Sequence, residues 1–475
     1  KDKERALPNN VVITLTKQNF LKRIRKERNS LMSHITTDLY KNKRALMNFI
    51  EPLVKDAGRP ISKFVADMIF GILTSQTINI SQIARCLHEK TKLHNTVERL
   101  CRNLSEADLS RIINSYLLLA RQQQHSDRIY FVDDTDIIKP YGFSFEDIGM
   151  VRDGSASSAN NTVIQKGYMN TEIVALSAKN KQPYSVFSHI YSQMGEDFKS
   201  TNAILDAALK DIFATLARPA TFVFDRGFDR IDLYELFFRQ DRRQNFIVRM
   251  KTNRNVIVKT TNGDKKILIC ELVEKYKGKI KANFLRWNSA KSRLEKHEYK
   301  ISTVSVTLPD SEYTFTLVLA YPLVGEPLIL GTNCPISSKE DAIDVVQTYF
   351  QRWRIEEYFR LKKVNYGFEG FRVRSLKAIN NLNLLLGFAL FWIACLAAHV
   401  NNPGHYAYAL RIYAKALRYD VSFYGYQISN GLAYLFRQAR AGPTGYYPPT
   451  TRRRRGRVEM TIEDLLKEIA IAKAI

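Results

Sequence analysis

Two short apolar runs that end in acid narrow most sharply what this chain can fold into. Arg128-Ile-Tyr-Phe-Val-Asp-Asp134 and Thr221-Phe-Val-Phe-Asp225 are too short for helices, are rich in β-branched and aromatic residues, and each stops at aspartate. Central strands of a sheet covered on both faces have this character. Between them, residues 168–178 and 184–191 read as paired strands joined across Lys179-Asn-Lys-Gln-Pro183. Residues 201–216 then carry Ile204, Leu205, Ala208, Leu209, Ile212 and Phe213 at helical spacing. A helix over 230–238 and a strand over 245–250 follow.

Three strands, a helix, a strand, a helix and a further strand define an α/β fold in the ribonuclease-H-like order, whose strand ends gather carboxylates. The helical period disappears between 251 and 338. Alternating segments at 302–307 and 313–319 flank Pro309-Asp-Ser-Glu there, which reads as a β-rich insertion.

Residues 1–125 read as mostly helical, with a basic run at 22–28. A helix over 78–88, capped by Ser81, and a second over 94–104 make either a helix-turn-helix with Asn95, Arg99 and Arg102 facing DNA or an ordinary helical hairpin. Near the other end, the apolar run 384–398 is shorter than the roughly 18–20 residues that span a membrane, so a buried core helix is expected. Helices continue to about 440. Arg452 to Arg457 then form a basic arm or a solubilising linker, and a last helix is expected over 462–474 with its cap at Thr461.

The chain carries 72 Lys+Arg against 47 Asp+Glu, a net +25 on an otherwise ordinary globular composition. Such an excess favours a polyanionic partner, nucleic acid before an anionic membrane. Five scattered cysteines without a C-x-x-C pair indicate neither a zinc site nor a disulfide framework and fit a reducing compartment. No apolar segment with a small-residue cleavage site stands near the first residues, so no signal peptide is expected.

The stretch Tyr349-Phe-Gln-Arg-Trp-Arg-Ile-Glu-Glu-Tyr-Phe-Arg-Leu-Lys-Lys363 is expected to be one helix. At ~100° per residue, Tyr349, Arg352, Glu356 and Lys363 fall within a stripe roughly 60° wide over about 21 Å. One face then presents a carboxylate between cations, which suits a bound polyanion together with a hard divalent metal. A solvated face of mixed charge is the plainer reading of such a run.

The spacing Y-x2-R-x3-E-x6-K, with Asp133-Asp134-Thr135 and Asp225-Arg226-Gly227 upstream, resembles the cut-and-paste DDE transposases of bacterial insertion sequences that excise through a DNA hairpin. The resemblance covers about 125–400. It implies an acidic triad of Asp134, Asp225 and Glu356, with Asp133, Asp136 and Glu357 as local rivals. These acids would hold two Mg2+ ions, Mn2+ being able to substitute, for phosphodiester hydrolysis and strand transfer. It further implies phosphate contacts from Tyr349, Arg352 and Lys363, and Arg372 and Arg374 offer more cations.

Asp136 stands where the family has a hydroxyl residue. Glu326-Pro-Leu-Ile-Leu330 lacks the aromatic on which relatives stack a flipped base, so Trp287 becomes the candidate for that role.

The resulting organisation is a helical DNA-binding domain (1–125), a catalytic core in two parts (126–250 and 339–400) interrupted by the insertion (251–338), and a C-terminal helical region with the basic arm (401–475). The partners implied are the terminal inverted repeats of a mobile element and target DNA, with a homodimer in the synaptic complex and no membrane. The location implied is the bacterial cytoplasm, at the nucleoid. Second-strand cleavage by a hairpin or by another route stays open. So do a domesticated DNA-binding protein that no longer cuts and a ribonuclease-H-like nuclease of branched DNA.

Overall fold

The computed structural model describes residues 35–443, apart from 159, 217, 240–243, 289–292, 310 and 416–420. The basic runs at 22–28 and 452–457 and the helix expected over 462–474 lie outside the described residues.

Among the described residues, five helices come first: α1 (Ile35–Leu53), α2 (Arg59–Ser75), α3 (Ile80–Cys86), α4 (Leu93–Glu106) and α5 (Ser110–Gln122). The expected cap at Ser81 is corrected to Asn79, whose side chain accepts from the amides of Ser81 and Gln82. Asn79 is the better placed of the two, because its extended backbone sets the oxygen over the first free N–H groups.

The sheet begins with β1 (Ile129–Ile138), β2 (Gly149–Arg152), β3 (Ile164–Leu176) and β4 (Pro183–Tyr191). Asn180 and Lys181 turn β3 into β4 with left-handed φ of 61° and 45°, the backbone that tight hairpin turns require. Helix α6 (Thr201–Thr215), capped by Ser200, leads to β5 (Thr221–Phe224), α7 (Ile231–Phe238) and β6 (Asn245–Arg249). β1 pairs antiparallel with β3 and parallel with β5, and β5 pairs parallel with β6. The expected elements come in the expected order, with β2 added between the first two strands. β1 is longer than expected, so its aspartates lie inside the strand rather than at its end.

The aromatic residues of the two buried strands explain one covering layer. Tyr130 stacks on its register partner Phe222 at 4.8 Å, and Phe213 of α6 and Phe237 of α7 meet Phe222 edge-on at 5.1 and 5.7 Å. Each such fully buried ring contributes roughly 1.5–3 kcal/mol by leaving water.

The segment 251–338 adds β7 (Asn255–Thr260), β8 (Gly263–Leu268), a short helix α8 (Ile269–Lys275), β9 (Ile280–Asn288), β10 (Arg293–Thr307), β11 (Thr314–Pro322) and β12 (Leu328–Thr332). β12 returns beside β6, pairing Leu330 with Arg249, so these strands extend the core sheet to twelve. The result is one large mixed sheet with helices packed against it.

Helix α9 (Lys339–Phe350) opens with a capping box between Ser338 and Asp341 and is followed by α10 (Trp353–Arg360). The single helix expected over 349–363 is thus corrected to two α-helices and a wider turn. At the joint, the amides of Gln351 and Arg352 bond back three residues, to Thr348 and Tyr349. Beyond α10, Leu361–Asn365 widens into a π-turn, with Tyr366 N bonded to Leu361 O at 3.2 Å.

Helix α11 (Leu376–Ala397) has 22 residues and by length and composition could cross a membrane, yet 72% of its most apolar window is buried inside the protein. The expected core helix is therefore longer at its start than the apolar run alone suggests. α12 (Tyr406–Tyr413) and α13 (Gly425–Phe436) complete the described chain.

Candidate active site

β1 and β5 end their pairing side by side, at the rung Val132–Phe224. Asp133 and Asp225 are the next residues on neighbouring parallel strands and, by the two-residue alternation of side chains, project to one face. Asp134 projects to the other. There it accepts from Thr171 Oγ1, its register partner on β3, at 2.5 Å. Asp133 is thus the aspartate that shares a face with Asp225, while Asp134, the acid that the sequence motif implies, faces Thr171.

The joint between α9 and α10 lies over that face. Arg352 donates from Nη1 to Asp133 Oδ2 at 3.0 Å and from Nη2 to Glu356 Oε1 at 2.5 Å. Tyr349 donates its hydroxyl proton to Asp225 Oδ1 at 3.2 Å. The tightened turn at Gln351–Arg352 is what lets Tyr349 and Arg352 reach two different strands. Glu356 is 58% exposed where Asp133 and Arg352 are 23% and 18%, so Glu356 is the arm that can re-aim at little desolvation cost.

Burial pushes the Asp133 carboxyl up to about 7, against the pull of Arg352 and with the push of Asp225 and Asp134. Burial also pushes the Tyr349 phenol up, to about 12, and the charge of Asp225 adds to it. Tyr349 is therefore a proton donor at neutral pH. Further positive charge beside Asp133 would favour its ionised form.

The other expected contacts divide. Lys363 donates to the Asp136 carbonyl and pairs with Glu369 at 3.1 Å. Arg372 and Arg374 are exposed, on a segment held to the end of β1 by Lys139 Nζ bonded to Phe371 O at 2.7 Å. Arg102 is exposed on α4. Arg99, the other expected contact on α4, is bound to Asp67 and Glu89 at 2.9 and 3.0 Å, so ion pairs within the helical region engage its charge. Trp287 falls in β9 opposite Leu294, and its side chain lies outside the described residues.

Sequence reasoning missed Lys362 and Glu172, which form a buried pair at 2.7 Å directly beside Asp133. A lysine next to another lysine and a glutamate in an apolar strand gave no signal of pairing.

Residues 188–392 match the family model described as the transposase DDE domain. That match supports a DDE transposase. It takes in Asp225, α9, α10 and most of α11, and leaves Asp133 outside. No curated protein matches the chain. Among solved structures, the cryo-EM structure of a piggyBac transposase synaptic complex with hairpin DNA aligns at 10% identity and a TM-score of 0.38. That alignment covers 75% of this chain and 61% of the other.

DDE transposase domains generally use divalent metals. Among the described residues, no three acidic, histidine or cysteine side chains are grouped closely enough to hold one ion. The donor chemistry nonetheless fits a hard cation, because Asp133, Asp225 and Glu356 offer carboxylate oxygens. The Arg352 guanidinium already stands as a cation between Asp133 and Glu356.

Proposed function

We propose that this protein is a DNA transposase that binds the terminal inverted repeats of its mobile element, cleaves the ends by Mg2+-dependent hydrolysis and joins the freed 3′-hydroxyls to target DNA. The observation that carries this reading is the linkage of Asp133, Asp225 and Glu356 through Arg352 and Tyr349 on one face of the sheet. The transposase DDE domain match over residues 188–392 supports it.

Asp133, Asp225 and Glu356 would hold the metal, with Mn2+ able to replace Mg2+. Two bound divalent ions supply an activated oxygen nucleophile and stabilise the leaving oxygen. Arg352, released from its carboxylates, turns to a phosphate of the cleaved strand, and Lys363, Arg372 and Arg374 line the backbone beyond it. Tyr349 keeps Asp225 oriented through its hydroxyl. Arg102 on α4 contacts duplex DNA further from the scissile bond. Trp287 is the residue of the inserted strands assigned to stack on an unpaired base.

The proposal extends to a homodimer that pairs two element ends, to a hairpin on the flanking strand, and to a cytoplasmic protein working at the nucleoid. Its test is cleavage of paired element ends in Mg2+ by the parent and by Glu356→Gln. The parent should cut and the variant should not, with binding of the ends retained. Full cleavage by the variant refutes the assignment. Equal cutting of branched junctions by the parent would favour a structure-specific nuclease, and hairpin products are read from the same reactions on denaturing gels.

A further inference from the structure

Glu172 and Lys362 are the most deeply buried ion pair among the described residues, with side-chain exposures of 0% and 3% and a separation of 2.7 Å. Glu172 Oε2 also accepts from Asn170 Nδ2 at 2.8 Å and Ser188 Oγ at 2.9 Å. Ser188 in turn accepts from Asn383 Nδ2 of α11 at 2.7 Å. The network thus ties β3, β4 and α11 to the π-turn that follows α10. Glu172 Oε1 makes no close hydrogen bond among the described residues, though the Tyr358 hydroxyl of α10 lies against the carboxylate.

Burial of a charge pair is a poor way to gain stability, since packed apolar side chains usually do as well or better. Geometry gives it another use. Glu172 is the register partner of Asp133, and Lys362 lies six residues after Glu356 on the same helical segment. Successive residues Lys362 and Lys363 engage β3 and the Asp136 end of β1 respectively. The π-turn, a wider form often found at functional sites, is what lets two neighbouring side chains do so.

We propose that Lys362 and Glu172 are a positioning pair that fixes the rotation of α10 about its axis and so the direction of Glu356 toward Asp133 and Asp225. The inference rests on the transposase reading for its consequence, though not for its geometry. Both side chains are too deeply buried to reach a DNA backbone. Lys362 pins the C-terminal end of the helix while Arg352 is free to exchange partners at the other.

The test is Lys362→Met combined with Glu172→Gln in the full chain. The double change removes both charges and keeps a side-chain oxygen for Asn170 and Ser188. Hydrogen exchange of residues 353–365 should quicken by about tenfold, with exchange in β1, β5 and β6 unchanged. Binding of Mn2+ alone, followed by its paramagnetic resonance signal, should weaken by about ten- to a hundredfold, the usual range for a group behind a ligand. Binding of element-end DNA should stay within about twofold, because the phosphate-facing cations remain.

Parent-like exchange over 353–365 overturns the inference, and so does exchange rising equally throughout the sheet, which would make the pair a general prop of the core. Faster local exchange with unchanged Mn2+ affinity overturns the positioning role as well. Restored exchange and Mn2+ affinity in Lys362→Arg, which keeps the charge, supports it. Should the parent cut no DNA while the exchange result holds, the transposase reading fails and the positioning of α10 stands.

Discussion

Asp133 and Glu172 face each other across one rung of the sheet, and each is bound by a cation from the same helical segment. The first pair, with Arg352, keeps side-chain exposures of 23% and 18%; the second, with Lys362, has 0% and 3%. Burial already disfavours the Asp133 charge, and both side chains keep some access to solvent, so the contact can be exchanged for a metal or a phosphate at modest cost. At the second, either charge left alone would sit in a dry interior. One rung therefore carries an exchangeable contact beside a fixed one, and the fixed one holds the frame in which exchange can happen.

The largest effect is expected at Asp133. Asp133→Asn should cut the rate of DNA cleavage by about a thousandfold, the scale expected when a group acting at the reacting atoms is lost. Asp134→Asn, on the opposite face with Thr171, should stay within about tenfold of the parent. Equal losses in the two variants, measured on the same paired ends, would remove the distinction between the faces.

Glu172→Leu is the matching experiment on the fixed side. It strands the Lys362 ammonium, which burial already draws downward and Glu172 holds up. Denaturant titration should show a loss of about 3–5 kcal/mol, the usual cost of breaking a buried pair from one side. Asp133→Asn should cost less than about 1 kcal/mol, because its partner Arg352 keeps Glu356 and some water. Similar stabilities for the two variants would mean that burial does not separate the pairs.

Much of this was legible in the sequence. The apolar runs 128–134 and 221–225 announced two central strands, the spacing of 201–216 announced a covering helix, and Asp225 falls one residue past β5 as its run implied. What the sequence did not carry was parity. Asp133 and Asp134 are both acids in one strand, and only the rung Val132–Phe224 says which of them joins Asp225. A run of residues does not contain its own register with a strand ninety positions away. The break at Gln351–Arg352 was equally hidden, since a tightened turn at a helix joint is set by what its side chains grasp. Arg99 looked like a free cation on α4 for the same reason: Asp67 lies 32 positions earlier, on α2.

Arg352 is the cation of the exchangeable pair. If its guanidinium occupies ground that a metal must take, Arg352→Gln should tighten Mn2+ binding by the DNA-free protein by about fivefold, following the competition arithmetic of linked equilibria. Cleavage should nonetheless fall about tenfold or more, because a positioned phosphate contact is lost. Looser Mn2+ binding in the variant would show that Arg352 supports the metal locus rather than filling it.

The smallest effects belong to the helical region, where the same contrast recurs between Arg99 and Arg102. Arg99 is shared between Asp67 and Glu89, and Asp67 is buried to 2% exposure. Glu89 resists the upward push of its partial burial and is drawn down to about 2 by Lys63, Thr96 and Arg99. A carboxyl depressed in the folded state contributes stability above its unfolded pKa, and that stability is lost as pH falls toward 2. Arg99→Ala should thus lower stability at pH 7 by about 1 kcal/mol and narrow the gap between pH 7 and pH 3, without changing the salt dependence of DNA binding. Arg102→Ala should do the reverse: unchanged denaturation, binding of element ends weakened about threefold, and a slope of log affinity against log salt reduced by roughly one. If both arginines alter the salt slope alike, Arg99 leaves its acids to meet DNA, and fixed and exchangeable cations cannot be told apart by their burial in this region.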